Sequence, residues 1–224
     1  MLKCLTVMNA EGSAVCRSVF GNYCGVLTGF ENTFPEGVSV LHGDIDTGGW
    51  TLCYALAFCG KSKEVVIEPE AKIIYDGHTS SFDKITSKVG YLDQKVGLTF
   101  MERKCSISDL IERNIKKYHS NLSVSMVCDL FALDSQRSKK PLIQAGNEFI
   151  RARAAIEFAS SKEIYCFPWL SNKQYFYYFR HIDTVCSVLK NAKRIILIPT
   201  SSNDHVNGWN DVEMSSFTHI RKKQ

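Results

Sequence analysis

Residues Val38, Val40 and Leu41 lead into His42-Gly43-Asp44-Ile45-Asp46-Thr47-Gly48-Gly49-Trp50, and an apolar stretch from Thr51 to Cys59 follows. A β-branched run, a glycine turn and a run rich in alanine and leucine read as strand, turn and helix. That junction points to an α/β core. Gly43 and Gly48 occupy the two glycine positions of the phosphate-binding pattern G-x-x-x-x-G-K-[ST]. The lysine position holds Gly49, and the hydroxyl position that would meet magnesium holds Trp50. Asp44 and Asp46 add negative charge where the pattern cradles an anion. Two like unit charges about 4 Å apart repel by ~4 kcal/mol at an effective dielectric of about 20. The turn keeps the outline of an anion loop and lacks the side chains that hold the anion. Trp50 is expected either to fill the phosphate space or to lie over the outer face of the loop.

A chain of 224 residues, 45% hydrophobic and 22% charged, is long enough to bury a full core without staples. Nine cysteines form an odd count with no C-x-x-C pair, which reads as reduced thiols and not as a disulfide framework or zinc site. Cys166, in an apolar run, reads as a buried inert thiol. The histidines show no H-E-x-x-H spacing, so no metal site is expected. The net charge of +4 is mild, and its main cluster, Arg221-Lys222-Lys223, reads as a solvated tail. No apolar run reaches the ~18–20 residues of a spanning helix, and the start has no signal-like region. Any link to a membrane is therefore expected to pass through another chain.

Strand-like runs fall at Cys4–Met8, Val38–Leu41, Glu64–Ile67, Lys72–Tyr75, Ile164–Phe167 and Arg194–Ile198. Helix-like runs fall at Thr51–Phe58, Ser106–Tyr118, Val124–Phe131, Glu148–Ala159, Lys173–Lys190 and Asp211–His219. Ser106 and Ser123 stand where helix caps belong. The order predicts one domain, with an α/β core over about 1–100 and 160–224 and a helical subdomain over about 101–159. Arg151 and Arg153 read as a solvated helix face. Tyr175-Phe176-Tyr177-Tyr178-Phe179 cannot share one helix face, so some of these rings must be core and some must be exposed.

Beyond the turn, Lys72-Ile73-Ile74-Tyr75-Asp76-Gly77 is followed by Val89-Gly90-Tyr91-Leu92-Asp93-Gln94. This pair resembles the "I-x-I-D-G" strand and the "I-G-Y-V-P-Q" strand of the ATP-binding cassette (ABC) family, the nucleotide-binding domains of ABC transporters. Ile107–Ile115 resembles the family's "T-V-x-E-N-I" segment, and Ile143-Gln144-Ala145-Gly146-Asn147 stands where the signature L-S-G-G-Q precedes a helix. Ile164-Tyr165-Cys166-Phe167-Pro168-Trp169 lies where the family has its Walker B strand, and Ile195–Ser201 resembles the strand that delivers the switch histidine. The order and intervals together cover nearly the whole chain. The resemblance implies a P-loop NTPase-like ABC cassette, with a mixed sheet core and a helical subdomain.

It also implies a site that this chain lacks. Hydrolysis in the family is implied to need a lysine on the β/γ-phosphates, a hydroxyl and an aspartate around Mg²⁺, and a glutamate and a histidine near the attacking water. Those five positions hold Gly49, Trp50, Cys166, Phe167 and Ser201. Phosphoryl transfer depends almost wholly on positioning and electrostatics, so losing these groups together is expected to cost upwards of ~8 kcal/mol, about a million-fold in rate. Gly43, Gly48, Gly49, Thr51 and Gln94 remain as a vestigial nucleotide-binding set, with Gln144, Ala145, Gly146 and Asn147 as the signature-loop region. No cofactor is expected, although backbone N–H groups of residues 43–51 could still form an anion nest, which Asp44 and Asp46 oppose. The expected role is a degenerate, non-catalytic accessory or regulatory subunit of a membrane transporter. It would sit in the cytoplasm, peripheral to the membrane through a catalytic ABC subunit, a permease or both, in a homo- or heterodimer. The alternatives are an unconventional ATP-binding transport ATPase, and a module binding nucleic acid or protein. The modest charge argues against nucleic acid.

Overall fold

The computed structural model describes residues 3–18, 21–94, 96–202 and 209–214, with the backbone alone for 16–18 and 21–23. The chain opens with a long antiparallel hairpin, β1 (Cys4–Ser18) and β2 (Gly21–Pro35), with register shifts between Val7 and Ala10 and between Ala10 and Gly12. Next come β3 (Gly37–His42), α1 (Gly49–Phe58), β4 (Val65–Ile67), β5 (Lys72–Tyr75), β6 (His78–Ser80), α2 (Phe82–Ile85) and β7 (Val89–Tyr91). A helical stretch follows, with α3 (Ile107–Lys117), α4 (Val124–Leu130), α5 (Ser135–Ser138) and α6 (Phe149–Ala159). The chain then returns through β8 (Ile164–Cys166), α7 (Asn172–Asn191), β9 (Ile195–Thr200) and β10 (Asn210–Glu213).

Two sheets result. One is antiparallel, in the order β2-β1-β5-β6, with β4 paired to the second half of β1. The other is parallel throughout, in the order β10-β3-β9-β8-β7. Helix α1 lies between them, with every residue from Gly49 to Ala57 buried. A helix apolar on all sides has to be enclosed in this way, which explains why the 51–59 run shows no polar face. On the other side of the parallel sheet, α3, α4, α6 and α7 enclose a second core. Strand alternation divides the side chains: Ile164 and Cys166 face α1, while Tyr165 and Phe167 face the helices. The same rule sends Ile195 and Leu197 one way and Ile196 and Ile198 the other.

Local chemistry sets the helix starts. Ser106 forms a full capping box, accepting from Asp109 N at 3.1 Å and donating its own N–H to Asp109 Oδ2 at 3.3 Å. Ser123 caps α4 through Met126 N at 3.2 Å. The sequence reading needs three corrections here. The 211–219 run begins as strand and not helix: Asn210–Glu213 add to the edge of β3, and the rest of that run, like the basic tail, lies outside the described residues. Strand β2 was not foreseen. Arg151 and Arg153 are largely buried, paired with Glu148 at 3.0 Å and Glu157 at 2.6 Å, and do not form a solvated face.

Candidate functional site

The Gly43–Thr51 turn lies between β3, an interior strand of the parallel sheet, and the start of α1. Its shape depends on two glycines. At Gly43, φ is +155°, and a Cβ would fall 2.2 Å from Thr47 Oγ1 and 2.9 Å from the Met214 carbonyl. Gly48 is the N-cap of α1, with φ of +91° and the β2 backbone at Val26 O close by. Within the loop, Thr47 donates through both N (3.1 Å) and Oγ1 (2.7 Å) to the Asp44 carbonyl. The Trp169 indole donates to Gly43 O at 3.3 Å, and Met214 N donates to His42 O at 2.7 Å. Met214 and Trp169 thus pack on the turn; the motif pattern includes Trp169 without this role and does not include Met214. Asp44 and Asp46 are exposed, so solvent screens much of their repulsion toward an incoming anion.

The five positions that would carry hydrolysis are occupied as follows. A side chain at Gly49 would start 3.3 Å from Pro199 Cβ and 3.4 Å from Leu41 Cβ, with Met214 Cγ at 3.6 Å. Trp50 is fully buried between α1 and β2, in edge contact with Tyr54 at 6.0 Å between ring centroids. The indole passes so close to β2 that a Cβ on Gly25 would lie 3.0 Å from it. That position matches neither of the two expected for Trp50. Thr51 is also buried against Gly25, and its Oγ1 has no partner among the described residues. Cys166 faces Cys53 inside the α1 core; burial first, then the neighbouring Cys166, pushes the Cys53 thiol well up. Phe167 is buried under the helices. Ser201 has a structural role, its Oγ accepting from Asn172 N at 3.1 Å at the start of α7.

Gln94 and the signature-loop region come together elsewhere. Gln94 Nε2 donates to the carbonyls of Leu142 (3.3 Å) and Ile143 (3.0 Å), the turn that leads into Gln144-Ala145-Gly146-Asn147. Ala145 is buried in the helical core, Gly146 has φ of +61°, and Arg137 Nη1 donates to Gln144 O at 3.2 Å. A cavity of about 680 Å³ opens at this corner, lined by Gln94, Gly146, Phe149, Lys173, Tyr177 and Tyr178 among others. Above it the aromatic run divides as expected, with Tyr175 buried while Phe176 and Tyr177 are 69% and 68% exposed. Among the described residues no cluster of three or more His, Cys, Asp or Glu could hold a metal. Among those same residues, no helix is long and apolar enough to cross a membrane.

No known protein-family profile matches the sequence, and no curated protein matches it. Solved structures do match. A Pyrococcus furiosus chain described as an ABC transporter ATP-binding protein superposes with a TM-score of 0.63 at 18% identity, over 94% of this chain and 97% of that one. The cbiO1 protein of Clostridium perfringens, part of the ABC transporter complex cbiONQ, gives 0.59 at 14% identity, over 88% and 78%. A bacterial Atm1-family ABC exporter with ATP bound gives 0.63 at 14% identity, over 96% of this chain and 37% of the exporter. Across almost its whole length, the chain has the fold of the ATP-binding cassettes of ABC transporters.

Proposed function

We propose that this chain is a non-catalytic cassette subunit that works beside a membrane transporter, held at the cytoplasmic face by a catalytic cassette, a permease or both. The observation that carries this reading is the chemistry at the five hydrolytic positions. Gly49, Trp50, Cys166, Phe167 and Ser201 bring no formal charge, and three of the side chains are built into cores. A cysteine packed on Cys53 and an indole packed on β2 do not fit Mg²⁺ or a triphosphate. No hydrolytic step is assigned to this chain. Each lost preorganised group removes ~3–4 kcal/mol of transition-state stabilisation.

What supports a partnered role is the corner that stays open. Gln94 and Gly146 border a wide concavity, and Phe176 and Tyr177 stand exposed beside it. Exposed aromatics next to a concave surface are the usual composition of a protein contact. The test is affinity purification of the tagged chain from its own cells, with ATP hydrolysis measured on the isolated chain and on the complex. The reading expects a second cassette or a membrane protein to co-purify, and hydrolysis only in the complex. Repeated recovery of the chain alone, or turnover by the isolated chain free of contaminating ATPase, overturns it.

A further inference from the structure

A second cavity, of about 350 Å³, lies where the end of α1, β7 and α6 meet. Three cations and one carboxylate line it: Lys61, Arg153, Lys162 and Glu157, with Phe58 and Tyr91 among its apolar walls. Arg153 is almost wholly buried, with 4% of its side chain exposed. Its Nη2 meets Glu157 Oε1 at 2.6 Å, while Nε and Nη1 have no hydrogen-bond partner among the described residues. Gly97 packs tightly on this group; a Cβ there would lie 3.2 Å from Arg153 Nη2. Lys61 Nζ donates to Thr86 O at 2.9 Å, and Lys162 Nζ donates to Ser87 O at 2.7 Å. Both ammonium groups are therefore held at the end of α2. The Lys61 amine is pushed down by burial and then by the nearby Lys162 charge, with Glu157 acting in the opposite sense.

A guanidinium out of water with donors unused is unfavourable until acceptors arrive. Its planar fork matches an oxyanion, and each lysine keeps donors beyond the one it has used. Glu102, outside the lining, is a further carboxylate whose charge interacts with Arg153. Even with Glu102 counted against the three cations, the balance stays positive. The glycine turn, with Asp44 and Asp46, has the opposite sign.

We propose that this cavity binds a tetrahedral oxyanion of the phosphate class, with Arg153, Lys61 and Lys162 supplying the donors. The proposal does not rest on the transporter reading, and each can fail without the other. The test follows thermal unfolding and calorimetry of the full chain with inorganic phosphate, sulfate and glycerol 3-phosphate, against sodium chloride at matched ionic strength. Saturable stabilisation by the oxyanions, weakened about tenfold or more by Arg153→Met and by Lys162→Ala, upholds it. Lys162 is half-exposed, so Lys162→Ala keeps the test open if Arg153→Met fails to fold. Tighter binding of glycerol 3-phosphate assigns the site to an organic phosphate ester, and tighter binding of the inorganic ions assigns it to a free anion. Either result upholds the proposal. Equal stabilisation by chloride, or oxyanion binding unaffected by both substitutions, overturns it.

Discussion

The turn at Gly43–Thr51 and the corner at Gln94–Gly146 are the two places where the cassette resemblance puts nucleotide chemistry, and they are built in opposite ways. The turn is packed against the core, with Asp44 and Asp46 its exposed residues. Trp50 is fully buried, Met214 is 6% exposed, and the Trp169 indole is tied to the Gly43 carbonyl. The corner is open, with amides and a glycine around a large concavity and aromatic rings exposed beside it. In the first region apolar side chains are part of the core. The second presents polar groups around a concavity, which is what a docking surface needs.

The sharpest way to break this contrast is Trp50→Ala. A fully buried aromatic lost from a close-packed interface should cost ~3–5 kcal/mol in urea unfolding. A cost below ~1 kcal/mol would mean that the turn is not part of the core. The paired glycines give the next largest effect. Gly43→Ala should lose ~1–3 kcal/mol, because its Cβ would collide with Thr47 and the Met214 carbonyl. Gly146→Ala should lose only ~1 kcal/mol, from its positive φ, since Arg137 Nη1 at 3.8 Å is its nearest neighbour. Equal losses at the two glycines would erase the distinction.

A third prediction concerns the far end of the parallel sheet. Burial pushes the Glu163 carboxyl up, but hydrogen bonds from Lys3, Lys88 and Tyr75 outweigh it and hold the group at about 2, against its usual 4.5. A depressed carboxylate stabilises the fold above pH 4.5, and that stability is lost as pH falls from there through about 2. Acid titration of the wild type against Glu163→Gln should show this slope only in the wild type. Solvent screening limits it to about 1 kcal/mol. The smallest stability effect is expected at the open corner, where Phe176→Ser with Tyr177→Ser should move stability by less than ~0.5 kcal/mol yet abolish partner recovery. A large destabilisation there would make these rings core.

The central strands were legible because runs such as Ile195–Ile198 are continuous in β-branched and leucine residues, as a sheet buried on both faces requires. Strand β2 was hidden because Gly21, Asn22, Gly25 and Gly29 break its pattern, and its order comes from pairing with β1. Residues 210–213 carried too short an alternation to separate edge strand from helix, so the contact of Met214 with the turn could not be foreseen. Motif spacing singles out Gln94 and Gly146, but not the hydrogen bonds that bring Gln94 to residues 142 and 143. Arg153 was misjudged for a related reason. Helical spacing marks a face, and only tertiary packing decides whether that face meets water.

The most direct test of the account is equilibrium titration of the purified wild-type chain with Mg-ATP at millimolar concentration. The account predicts no saturable heat and no phosphate release. Stoichiometric binding of Mg-ATP, or phosphate release, by the wild type would contradict it.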